Sequence, residues 1–291
     1  MEELNVKALA KINLGLDVVR RREDGYHEVR MIMQTVHLFD RLNIRRISSP
    51  EIVIHTNRTF LPTDENNLIY KAAKLMRETY DIKDGIDVEL AKYIPVAAGM
   101  AGGSTDAAAT MYAMNRIFDL GASEERLKEL GVKIGADVPY CIMRGTALAE
   151  GIGEELTSLP PMIKCPVLIA KPAISVSTKF VYENLKLDEN TPHPDIDKLI
   201  SDIKNKDLHA VANDMGNVLE TVTIDNYPII NDIKQKMIAD GALGAMMSGS
   251  GPTVFGLFED DNVAEKAYES MKESGLAKQV YLTTIYNTRW N

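Results

Sequence analysis

Cysteine is nearly absent from this sequence: Cys141 and Cys165 are the only two among 291 residues. Neither stands at metal-ligand spacing, so no disulfide framework and no thiolate metal site is expected, and a reducing compartment suits the chain. Long apolar runs are missing too. Residues 1–20 mix Glu, Lys, Asn, Asp and Arg with apolar side chains, which does not read as a signal peptide, and no stretch approaches a membrane span. A cytoplasmic protein is expected. Positive charge is in deficit, with a formal net charge of −9 and a pI of about 5.2, which argues against nucleic acid or an acidic membrane surface as the main partner. No internal repeat and no low-complexity segment occurs. Two common nucleotide signatures are also lacking: there is no G-x-x-x-x-G-K-[ST] and no G-x-G-x-x-G between a strand and a helix.

What is present is an ordinary globular composition, 45% hydrophobic and 26% charged. At this length two domains are the expectation. Leu159-Pro160-Pro161 is the best boundary, dividing the chain into residues 1–159 and 160–291.

The chain is organised around Ile94–Thr110, which leaves a strand-like run, passes Gly99, Gly102 and Gly103, and enters an Ala-rich helix. Small residues let backbone approach a ligand closely, and Ser104, Thr105 and Asp106 suit a helix start. The unpartnered N–H groups of a first helical turn, at the positive end of the helix dipole, form a cradle for an anion. Nucleotide phosphates are the leading occupant. A close-packed turn holding no ligand is the alternative.

Residues 4–19 and Val29–Leu38 read as strands, with further strand character in 41–62. Lys11 and Asn13 share a strand face; Lys11 is either solvated at an edge or aimed with Asn13 into a cleft. Between the strands, Asp24-Gly25 is a turn signal followed by Tyr26 and His27, a flat stacking face and an imidazole that can donate and accept. The pair serves either as incidental hairpin residues or as a heterocycle site. Helices are expected over Asn66–Tyr80, from the glycine loop to about Phe118, and from Ser123, with a strand over Gly85–Ile94. Asp137, in Gly-Ala-Asp-Val-Pro, is a turn or cap residue, or a partly buried carboxylate that accepts a proton. Gly145–Leu159 reads as a hairpin and Thr178–Leu185 as a short helix carrying Tyr182. The tail alternates helices (Asp195–Lys204, Tyr227–Ala239, Asn262–Ser274) with strands (Ala242–Met247, Val254–Phe258, Gln279–Tyr286). Ser248-Gly-Ser-Gly-Pro252 is a second glycine turn, an ordinary hairpin loop or a lid of backbone donors over the first site.

Taken together, Lys11-Ile-Asn-Leu14, Pro95–Asp106 and Ser248–Pro252 resemble, in order, the three motifs of the GHMP small-molecule kinases. The resemblance covers essentially the whole chain and implies a two-domain α+β fold. It pairs a ribosomal protein S5-like N-terminal domain with an α/β C-terminal domain, the active site lying between them. It implies ATP as co-substrate, with Mg²⁺, and phosphates against Val96, Ala97, Ala98, Gly99, Met100, Ala101, Gly102, Gly103, Ser104, Thr105 and Asp106. Asp137 matches the catalytic carboxylate and Lys11 the charge stabiliser beside the reacting hydroxyl. Asp24-Gly-Tyr-His27 narrows the likeness to the branch acting on a cytidine diphosphate-linked methylerythritol. There Tyr26 would stack on cytosine, His27 would hydrogen-bond it, and Tyr182 is the candidate for the other face. Asn13, Ser248 and Gly249 complete the implied substrate contacts. The metal ligands are not legible, Ser104 being one option; Lys92 and residues 56–66 are positional candidates for adenine. The alternatives are a sister kinase of the homoserine or mevalonate class, which needs no cytosine pocket, and a nucleotide or metabolite sensor on the same fold without turnover, against which Lys11 and Asp137 stand. A monomer or weak homodimer is expected. One departure stands out: the family loop often reads Gly-Gly-Gly-Leu-Gly-Gly-Gly, whereas Ala97, Ala98 and Ala101 replace glycines here and Thr105 replaces a serine. Alanine disfavours positive φ, so the loop either avoids it there or accepts strain.

Overall fold

Alternating apolar residues in the first fifty positions build two long antiparallel strands, β1 (Glu3–Arg21) and β2 (His27–Ile47). The structure, a computed structural model, describes residues 1–290. Register shifts at Leu9/Lys11 and Asn13/Gly15 bracket the segment carrying Lys11 and Asn13; such bulges bend a strand and re-aim its side chains. The next elements are β3 (Ile52–Thr56), α1 (Leu68–Tyr80), β4 (Gly85–Ala91), α2 (Gly102–Ile117), α3 (Glu124–Gly131), α4 (Val138–Met143), β5 (Thr146–Glu150) and β6 (Glu155–Ser158). After Leu159 come β7 (Pro166–Lys171), α5 (Thr178–Asn184), α6 (Ile196–Asn205), α7 (Leu208–Asp214), β8 (Gly216–Asn217), α8 (Glu220–Asn226), α9 (Ile229–Ala239), β9 (Gly244–Met247), β10 (Val254–Leu257), α10 (Asp261–Glu273) and β11 (Gln279–Thr284).

Seven strands form a mixed sheet in the order β3-β4-β2-β1-β8, with β5 paired to β2 and β6 to β5. The other four form an antiparallel sheet, β11-β7-β10-β9. Helix α2 packs on β1 and on α1 and α4, while α9 and α10 cover the four-stranded sheet. Two-residue β8 brings the later half of the chain back to β1 in parallel. One buried cluster joins Ile12 and Leu14 of β1 to Val167 of β7 and Phe255 of β10, so a common core fixes the two sheets relative to one another.

Helix starts follow local chemistry. Asn67 caps α1 by accepting from Ile69 N at 2.9 Å, and Ser123 caps α3. Helices α4, α7 and α8 span at most two turns, too short to carry a periodic pattern. Strand β2 runs through position 40, where the sequence suggests a break. The reason is that Asp40 is fully buried and its carboxylate accepts hydrogen bonds from the segment after β4 instead of seeking water.

Candidate active site

The glycine loop leaves β4 and is tied down before it turns. Asp40 Oδ1 accepts from Tyr93 N (2.6 Å) and Ile94 N (2.8 Å), and Lys92 N donates to Asn57 Oδ1 (2.9 Å). The Lys92 ammonium donates to both Asp40 and Asp106 in a buried cluster. Burial alone would lower this lysine, but the carboxylates of Asp106 and Asp40 outweigh it and hold the ammonium above its ordinary value. Burial pushes the Asp106 carboxyl well above the usual range, the Asp40 charge adding to the effect and Lys92 opposing it. A cation so engaged is not free to meet adenine, which corrects the positional expectation for Lys92.

Two of the three alanines accept the left-handed region: Ala97 at φ 50° and Ala101 at φ 55°. Gly99, at φ 71°, has no alternative, since a Cβ there would lie 2.0 Å from the Ser248 carbonyl oxygen. Ser248 Oγ donates to Gly99 O at 2.9 Å, and Lys11 N donates to Met100 O at 3.3 Å. The loop is therefore pinned by Asp40, by β1 and by the second glycine turn. Ala101, not a serine or aspartate, occupies the position before α2, and no side chain caps that helix. The first-turn N–H groups are left as donors for a ligand.

Ala97, Ala98, Gly99 and Ala101 to Ser104 line a cavity of about 1460 Å³. Val96 lies exposed outside it, Met100 is buried in the core, and Thr105 and Asp106 are buried beneath the loop. Lys11 and Asn13 line the same cavity. Strand β1 lies between β2 and β8, not at an edge, and Lys11 Nζ donates to Asn13 Oδ1 at 2.7 Å with both residues buried. Asp137, also lining the cavity, stands just before α4 with helical torsions, and its side chain caps nothing. The half-buried carboxylate is thus unspent on its own backbone. Burial pushes the neighbouring Cys141 thiol up, with the Asp137 charge adding and Lys11 opposing. Both charges act on one region.

The opposite wall comes from the turn before β2 and from α5. Asp24 Oδ1 accepts from Tyr26 N at 3.1 Å, closing the turn that leaves Tyr26 61% exposed. The His27 ring lies 5.1 Å from that of Tyr182, tilted by 41°. Burial, with Arg21 nearby, holds His27 below the ordinary imidazole value, so it is neutral near pH 7 and both donates and accepts. Burial pushes the Tyr182 phenol up, Asp137 adding to it. Tyr26, His27, Tyr182 and Gly249 line the cavity, whereas Ser248 is fully buried behind the loop.

Residues 67–145 match the family described as GHMP kinases N terminal domain, and residues 199–276 match GHMP kinases C terminal. The 4-diphosphocytidyl-2-C-methyl-D-erythritol kinase of Lachnoclostridium phytofermentans is 55% identical over 99% of both chains. That of Lachnospira eligens is 58% identical over 98% of this chain and 99% of its own. The chain belongs to the GHMP kinases, in the 4-diphosphocytidyl-2-C-methyl-D-erythritol kinase family. A crystal structure of 4-(cytidine 5'-diphospho)-2C-methyl-D-erythritol kinase superposes with a TM-score of 0.84 at 30% identity, covering 98% of this chain and 100% of that one. A homoserine kinase from Cytophaga hutchinsonii, at 22% identity and a TM-score of 0.81 over 99% of this chain and 96% of its own, shares the fold. As a GHMP kinase the chain is an ATP-dependent small-molecule kinase.

Several residues that shape this GHMP kinase site carry no sequence signal. Asn217 Nδ2 donates to Met247 O (2.9 Å) and Gly249 O (2.8 Å), and Glu220 Oε1 accepts from Met247 N at 2.8 Å. Both support the second glycine turn from a stretch without motif or periodicity. Asp40 reads locally as an ordinary acid between strands. Only its depth in the fold reveals its work.

Proposed function

We propose that the chain transfers the γ-phosphoryl group of ATP to the 2-hydroxyl of 4-diphosphocytidyl-2-C-methyl-D-erythritol, in non-mevalonate isoprenoid precursor biosynthesis. The observation that carries this reading is a single cavity lined by an uncapped helix start, by Lys11 and Asp137, and by Tyr26, His27 and Tyr182. Asp137 takes the hydroxyl proton as the oxygen attacks phosphorus, and the bond to the bridging oxygen breaks to release ADP. Lys11, held by Asn13, stabilises the negative charge that develops. The N–H groups at the start of α2 hold the phosphates. Tyr26 and Tyr182 take the two faces of cytosine, and neutral His27 hydrogen-bonds its edge.

Among the described residues no cluster of three or more His, Cys, Asp or Glu could hold a metal ion. A Mg²⁺ arriving on the nucleotide would fit this donor set, which offers few protein ligands, and Ser104 at the cavity wall is the residue that would hold it. When bound it would spread the charge of the phosphates. We read the division of the chain as residues 1–159 and 160–291, since the link after β6 leads from the seven-stranded sheet into β7 of the other. No described helix is long and apolar enough to cross a membrane, and the two buried free cysteines suit a reducing cytoplasm.

The test is ADP release from Mg-ATP with the cytidine compound, homoserine or mevalonate as acceptor. Turnover on the cytidine compound alone is expected. Turnover on another alcohol would retain the kinase and overturn the cytosine site, and no turnover in a protein that still binds ATP would favour a sensor.

A further inference from the structure

The second glycine turn carries two serines whose side chains leave it in different directions. Ser248 Oγ donates to Gly99 O of the phosphate loop at 2.9 Å. Ser250 Oγ lies 2.8 Å from Thr178 Oγ1, the first residue of α5. There is no slack between turn and loop: a Cβ added to Gly249 would lie 3.3 Å from Gly99 Cα. The turn is itself braced, with Ser248 N donating to Thr253 O, Gly251 N to Ser248 O, and Asn217 holding two of its carbonyls.

Helix α5 needs an external tie. It has seven residues and one fully buried side chain, Val181, with Phe180 and Tyr182 partly buried against the core, and a helix this short depends on such tertiary ties for its position. Tyr182 stands four residues after Thr178, one turn on and on the same face. Whatever sets Thr178 therefore sets the ring that faces His27.

We propose that Ser250 and Thr178 are positioning residues for the acceptor: their bond fixes α5, and through it Tyr182, against the phosphate loop. Ser248 does the corresponding work for the nucleotide. One turn thereby sets the spacing between the two bound reactants, and in-line transfer depends on that spacing. The acceptor's identity as a cytidine compound rests on the function proposed above; the division of labour within the turn does not.

The test is a pair of opposite Michaelis-constant splits in the full-length enzyme. Ser250→Ala and Thr178→Val should each raise the acceptor KM about 3–10-fold, the scale of one lost neutral hydrogen bond, and leave the ATP KM within about twofold. Ser248→Ala should do the reverse. Thr178→Ser, which keeps the hydroxyl, should restore the wild-type acceptor KM, and Ser250→Ala combined with Thr178→Val should be no worse than either alone. If both Michaelis constants move together in all three single variants, the turn is merely structural and the proposal is wrong. Unchanged acceptor KM in both Ser250→Ala and Thr178→Val would overturn it equally. Should Ser250→Ala fold poorly, Thr178→Val reads the same bond from its more exposed partner. If the wild type uses homoserine or mevalonate instead, the proposed acceptor falls, while the same split measured on that alcohol still decides this proposal.

Discussion

The two walls of the cavity are built by opposite strategies. On the phosphate side, the loop over 92–101 is held from below by Asp40, Lys92 and Asp106, from behind by Ser248, and from the flank by β1. It tolerates left-handed alanines at 97 and 101 because its surroundings over-determine its shape. On the acceptor side, Tyr26 stands on a surface turn closed by Asp24 and an exposed Arg22–Asp24 ion pair of 2.9 Å. The difference teaches that the wall proposed to hold the nucleotide is organised before any ligand arrives, by buried charge and backbone bonds. The wall proposed for the acceptor presents aromatic area instead, with Tyr26 exposed and Tyr182 packed against the core. Rigid donors suit the triphosphate, whose charge must be met in place. Stacking faces suit a base that brings its own flat surface.

Between the walls sits the group on which the comparison turns. Asp137→Asn should lower kcat by roughly 10²–10⁴ while the unfolding midpoint and the ATP KM stay near wild type; a near-normal kcat would remove Asp137 from proton transfer. The contrast in rigidity is sharpest in a pair of substitutions, one on each wall. Asp40→Ala breaks a buried ion pair and strands two backbone N–H groups, so denaturant unfolding should show a loss of about 3–5 kcal/mol. Asp24→Ala should leave the midpoint unchanged, because its ion pair is exposed. Equal effects at the two positions would erase the distinction.

The acceptor wall is probed by its rings. Tyr26→Ala and Tyr182→Ala should raise the acceptor KM roughly 5–100-fold, the scale of one stacked base, with little change in the ATP KM. An unchanged acceptor KM would show that no base stacks there. His27 adds a pH signature. Its folded value is lowered, so the unfolded chain takes up the proton first, and stability falls as pH drops. The contribution is complete above the ordinary imidazole value of ~6.5 and is lost from there down through the depressed one. The acceptor KM, in contrast, rises only as pH falls through the depressed value itself, where the folded imidazole takes up its proton. His27→Ala should flatten the KM profile and remove its share of the stability profile, and a wild-type KM already flat down through the depressed value would refute the assignment. The smallest effect tests the strain. Ala97→Gly and Ala101→Gly relieve left-handed torsions worth about 1–2 kcal/mol each, offset by glycine's extra freedom when unfolded, about 0.4–1 kcal/mol. A net gain between zero and about 1.6 kcal/mol at each position is expected, and clear destabilisation would mean that these torsions are not strained.

The parts of this protein that its sequence determined alone are those whose physics is local. The strand–glycine loop–helix unit was legible in Ile94–Thr110 because small residues and a helix start act over neighbouring positions. The opening strands, the hairpin after Gly145 and the capped start of α3 were legible for the same reason. Tertiary structure decided the rest. Thr105 and Asp106 follow the glycines directly in sequence, yet the helical turn of about 100° per residue carries them inward, where Asp106 meets Lys92. Asp40 and Lys92 are separated by 52 positions, and nothing near either one announces the other. Ser248 and Ser250 are two residues apart, but only the packing of α5 and the phosphate loop on either side of their turn gives them different partners. Charge burial and hydrogen-bond partnership are properties of the assembled chain, and they depend on which distant segments arrive at the same place.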